Sequence, residues 1–201
     1  CYTGTTKAFS APAEKEGISM EQINGARQLR LPGQQKDKFW KTVALCALVA
    51  AVLFLPFYII DGGFFHYAGD FNSQQISFYR YMNGFFKGMS YPDSSFPGAP
   101  RNTFSWATDL GSGVMNAYSF YLYGSPFFWF SLLFPQNWLP YLMVPLLVLK
   151  FAVAGGGAYL YLRRYVKNLN YAVLGACLYA FSGFTVYNVF FNQFVDVVAL
   201  F

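Results

Sequence analysis

Charge is what this sequence has least of: Asp, Glu, Lys and Arg make up 11% of its 201 residues, against about 25% in an ordinary soluble domain. With 55% hydrophobic and 22% aromatic residues, the chain cannot be a disordered or solvated linker. Histidine occurs once and cysteine three times, at positions 1, 46 and 177. That spacing gives no metal-ligand pattern and two of the cysteines lie inside apolar runs, so neither a zinc site nor a disulfide framework is read from it and redox chemistry is not expected. A phosphate-cradling loop is missing as well, because Gly155, Gly156 and Gly157 are not followed by Lys-Ser/Thr. No cofactor is indicated; a divalent metal is compatible with the chemistry considered below, but no residue set calls for one.

What is present is apolar sequence in long runs. Residues 39–60 carry one charge, Lys41, and about 20 apolar residues suffice to cross the hydrocarbon core. A second run covers about residues 138–162 and a third about 171–190. The net charge of +5 is unevenly placed, with seven of fourteen Lys and Arg in residues 1–41, so it speaks for membrane topology rather than for nucleic acid. Lys36, Lys38 and Lys41 precede the first run, while Arg163, Arg164 and Lys167 follow the second. Basic flanks stay preferentially in the cytoplasm, which places the N-terminus and the link after residue 162 inside and residues 61–137 outside. The fold class expected is an all-α polytopic membrane protein, a transmembrane helix bundle with a folded external loop carrying interfacial helices. Residues 1–35 read as a flexible cytoplasmic tail and 36–201 as the membrane domain. The chain begins with Cys and stops within an apolar stretch, so it is expected to be the N-terminal part of a longer protein.

The external segment is too polar for a span and too aromatic for a linker. From Asp70 onward, Phe71, Ile76, Phe78, Tyr79, Met82, Phe85 and Phe86 are spaced as in an amphipathic helix lying on the membrane surface. Asp70, Asn72, Gln74 and Gln75 gather at its start. A carboxylate there also suits a helix N-cap, which is the alternative reading of Asp70.

A family resemblance rests on the order of several short motifs: Leu-Pro-Phe closing the first run, Gly-Asp-x-x-x-Gln (69–74), Asp-Leu-Gly-Ser-Gly (109–113), Tyr-Leu-Tyr-Gly-Ser-Pro-Phe (121–127), Leu-Lys-Phe (149–151), Tyr-Leu-Tyr-Leu-Arg (159–163) and Leu-Tyr-Ala-Phe-Ser-Gly-Phe (178–184). Over about residues 50–201 the chain resembles the YfhO-like bacterial membrane proteins, regarded as relatives of the GT-C glycosyltransferases. The resemblance implies sugar transfer on the external face, from an undecaprenyl-phosphate-linked donor to a cell-wall polymer such as teichoic acid. The partners implied are that donor, the polymer acceptor and membrane lipid, with no nucleic acid.

Such a transfer needs a carboxylate to take the acceptor's proton, and polar or cationic groups to hold the leaving phosphate. GT-C enzymes carry an acidic residue in the first external loop, and Asp70 matches that place. Asp109 is the second catalytic candidate, with an Asx turn as its alternative. Gln74, four residues after Asp70, shares its helical face and is positioned to bind sugar or orient the carboxylate. Asp61 is a further binding candidate, although the Gly62-Gly63 after it suits a turn. Lys150 falls near the middle of an apolar run, where a lone charge costs about 2.5–3.5 kcal/mol on insertion scales; it requires a phosphate or acidic partner, or a route to the interface. Arg101 is an external cation able to meet phosphate, and Asn192 and Asp196, one turn apart after the third run, are able to face the same cleft or to cap a helix. Two other classes compete with the enzyme reading: a lipid-linked-sugar flippase with Lys150 on its path, and a non-catalytic scaffold of wall-polymer synthesis.

Overall fold

The computed structural model describes residues 36–67, 69–87, 104, 108 and 111–201. Asp109, Arg101 and the tail 1–35 lie outside the described residues. No strand element occurs among the described residues.

Helix α1, Phe39–Ile60, is one continuous element despite Pro56. Of its 22 residues only Thr42, Cys46, Ala50 and Phe54 are buried inside the protein, while Leu48, Val52, Phe57 and Ile59 stand exposed. Apolar surface on this scale is stable only in an apolar medium, which in this chain is the bilayer. After α1 the chain turns through Gly62 and Gly63, whose N–H groups donate to Ile59 O (3.2 Å) and Tyr58 O (2.8 Å).

The next helix opens as a π-helical segment, Phe71–Ile76, and continues as α2, Ser77–Phe86. The amphipathic spacing is realised, with a difference: the buried face carries Gln75 and Asn83 alongside Phe71, Tyr79 and Met82, so it packs on protein and is not purely apolar. Helix α3, Val114–Tyr118, runs into a second π-helical segment, Ser119–Tyr123. Helix α4, Pro126–Ser131, is capped by Ser125, whose hydroxyl accepts from Phe128 N at 3.2 Å, with Pro126 in the first turn where a missing N–H does no harm.

Helix α5, Leu139–Leu162, follows a 3₁₀ turn at Gln136–Trp138 and is the centre of the bundle. Thirteen of its 24 residues are buried, and α1, α6 (Leu169–Ala180) and α8 (Asn192–Leu200) all pack on it. Its small residues permit this: a Cβ on Gly155 would stand 2.3 Å from Cys46 Sγ of α1, so α1 approaches to a distance only glycine allows.

Helix α6, Leu169–Ala180, starts at Asn168, whose side chain accepts from Asn170 N. The third apolar run is long enough to span, Leu169–Phe190, but it is not one helix. Ser182 accepts from Thr185 N at 3.4 Å and begins a separate short helix, α7, Gly183–Tyr187. A 3₁₀ turn at Asn188–Phe190 leads to α8, Asn192–Leu200. The mostly helical chain, with three helical segments long and apolar enough to cross a bilayer, is an all-α membrane protein.

Candidate functional site

Lys150 is fully buried on α5 and does not reach the interface. Its ammonium meets Asp196 Oδ1 at 2.5 Å, donates to Asn192 Oδ1 at 2.6 Å and to Asn192 O at 3.2 Å, and lies 5.5 Å from the Phe127 ring centroid. Asn192 and Asp196 sit one turn apart on α8. A charge that would otherwise be costly at this depth is thus held by an anion, an amide, a carbonyl and a ring face.

The polar layer extends sideways from the ion pair. Gln193, beside Asn192, accepts at 2.8 Å from Gln75 Nε2 of the first π-helical segment. Tyr79, one turn beyond Gln75, is fully buried; its hydroxyl makes no hydrogen bond of normal geometry, although Ser125 and Asn192 face it. Burial, reinforced by the Asp196 charge, pushes the Tyr79 phenol well above the usual tyrosine range. Gln75 Oε1 is likewise buried without a partner. Gln75 and Tyr79 stand in the sequence only as parts of an amphipathic helix, and Ser125 and Gln193 carry no site role there. The available signal was Gln75 and Tyr79 four apart, a polar pair on the face that also carries Phe71 and Met82.

Asp70 precedes the π-helical segment. Its side chain makes no capping hydrogen bond; it accepts from Gln74 Nε2 at 3.2 Å and is half-buried. The residue before it, Gly69, has φ of 82°, and a Cβ there would stand 2.6 Å from Phe190 Cζ, so glycine is required twice over. π-Helical turns widen the helix locally and recur at functional sites. Here the turn separates Gln74, facing Asp70, from Gln75, facing Gln193.

Asp61 closes a local loop instead: its Oδ2 accepts from His66 N at 3.0 Å and lies 3.2 Å from His66 Nδ1. At the opposite end of α1, Asp37 accepts from Tyr159 OH (2.9 Å) and Arg163 Nη1 (2.9 Å), and the Lys38 ammonium donates to Asn170. These contacts tie the ends of α1, α5 and α6 together. Chiefly the Tyr159 hydrogen bond holds the Asp37 carboxyl below its ordinary range.

Among the described residues no three His, Cys, Asp or Glu side chains gather as a metal-ligand set. The structure brings Lys150, Asn192 and Asp196 into one cluster and Asp70 and Gln74 into a second; Gln75 links the helix bearing the second to α8. Asp61 belongs to neither. Neither a curated protein nor a solved structure matches the chain. Residues 42–201 match the family model described as bacterial membrane protein YfhO.

Proposed function

The chain belongs to the YfhO family of bacterial membrane proteins, and from that premise we propose that it is a membrane glycosyltransferase of the GT-C type, moving a sugar from an undecaprenyl-phosphate-linked donor to a cell-wall polymer such as teichoic acid. The observation that carries the reading is Asp70: a half-buried carboxylate, free of capping, oriented by Gln74, at the start of a helix that follows the first span.

In this reading Asp70 takes the proton from the acceptor hydroxyl as it attacks the anomeric carbon, and the lipid phosphate leaves. Hydrogen bonding by the Gln74 amide directs one carboxylate oxygen and leaves the other for the acceptor. Lys150, Asn192 and Asp196 supply the buried polar cluster, joined to the helix that Asp70 opens through Gln75 and Gln193, and Arg101 and Asp109 are the external groups assigned to phosphate and to sugar. The basic flanks at residues 36–41 and 163–167 support an N-terminus in the cytoplasm and a site on the external face.

A second reading, a lipid-linked-sugar flippase, draws on the buried Lys150–Asp196 pair in a span. Purified protein in detergent separates the two. Transfer chemistry needs no second compartment, so labelled sugar appears on the polymer in micelles if the chain is a transferase; a flippase yields no product there and moves lipid only in sealed vesicles.

A further inference from the structure

Two thiols outside the proposed chemistry face each other inside the bundle. Cys46 of α1 and Cys177 of α6 have Sγ atoms 3.8 Å apart, and both are free. Cys46 is fully buried, in the recess that Gly155 leaves by having no Cβ. Cys177 is half-buried and opens on a groove of about 520 Å³ between α1 and α6, lined by Leu45, Val49, Val173, Leu174, Leu178 and Phe181. The groove is almost wholly apolar, so it admits molecules that dissolve in lipid and excludes charged ones.

We propose that Cys46 and Cys177 are an oxidisable pair that closes to an intramembrane disulfide stapling α1 to α6, with a lipid-soluble quinone as oxidant. A disulfide requires a sulfur separation of about 2.05 Å, so closure from 3.8 Å takes a further approach of about 1.8 Å, which we assign to side-chain rotation. In the step, the two S–H bonds break and one S–S bond forms. Two electrons and two protons pass to the carbonyl oxygens of the quinone, which leaves as hydroquinone. Quinone enters at Cys177, the thiol on the groove, and Cys46 resolves from behind it. Helix α1 packs chiefly on α5 and more lightly on α6, so the bond adds a covalent tie to the lighter of these two contacts.

The test uses membranes containing the full chain, treated with a short-chain ubiquinone, blocked with N-ethylmaleimide, digested without reductant and read by mass spectrometry. The expected product is a peptide pair joined through positions 46 and 177, lighter by two hydrogens and separated by dithiothreitol. It is absent from Cys46→Ala and from Cys177→Ala, persists in Cys1→Ala, and is not produced by glutathione disulfide, which the groove excludes. Leu174→Trp, which fills the groove, slows its formation several-fold. Recovery of both cysteines as separate maleimide adducts after quinone treatment overturns the pair, and an undiminished rate in Leu174→Trp overturns the groove as the oxidant's route.

Discussion

Lys150 Nζ and Asp196 Oδ1 meet at 2.5 Å with side chains 0% and 7% exposed, so neither charge has solvent to fall back on. Removing one partner strands the other. Lys150→Met is therefore expected to lose about 3–5 kcal/mol of stability, whereas Lys150→Met combined with Asp196→Leu recovers most of it. Unfolding of the three proteins in matched detergent checks this; an unaffected single variant would show that the pair contributes nothing.

Gln75 joins the first π-helical segment to α8 through Gln193. Gln75→Leu leaves Gln193 Oε1 buried without a donor, at a cost of about 1–3 kcal/mol. The same unfolding assay reads the loss, and Gln75→Glu, which keeps the length but buries a carboxyl group at a fully buried position, is expected to be worse.

How much of this was legible from sequence differed by element. Runs of apolar residues announced α1 and α5 because span length is a property of composition alone. The break at Ser182 was not legible, since Phe181 and Phe184 keep the run apolar across it while one hydroxyl caps the new helix. The π-helical segments were hidden for a related reason: over six residues, a wider helical period leaves the same hydrophobic pattern as an α-helix. Lys150 demanded a partner by its cost in lipid, and Asn192 and Asp196 stood out as one turn apart. The link from Gln75 to Gln193 could not be read, because nothing local marks two glutamines as neighbours in space.

Asp37 supplies a pH dependence of known sign. Its carboxyl is held below the ordinary range by Tyr159 and Arg163, so the stability it contributes is present above the ordinary carboxylate pKa and is lost as pH falls through the depressed one. The side chain is 56% exposed, so the contribution is small and salt-sensitive. Thermal stability followed below pH 4 should fall less steeply in Asp37→Asn than in the parent protein. Identical acid profiles would contradict the assignment.

The membrane orientation is testable with single cysteines in an otherwise cysteine-free chain. His66→Cys is expected to react with an impermeant maleimide added outside intact cells, and Lys167→Cys to react only after permeabilisation. The reverse pattern would move Asp70 to the cytoplasmic face.

The central claim, that Asp70 is the base of a sugar transfer, meets its most direct test in Asp70→Asn. Asparagine keeps the size of the side chain and an oxygen that can accept from Gln74, but cannot accept the proton. With purified protein, polyprenyl-phosphate-linked sugar and wall polymer, the parent is expected to transfer sugar, and Asp70→Asn to be folded but slower by about 10²–10⁴-fold. Transfer by Asp70→Asn at the parent rate, with Asp109→Asn inactive, would contradict the account and make Asp109 the base.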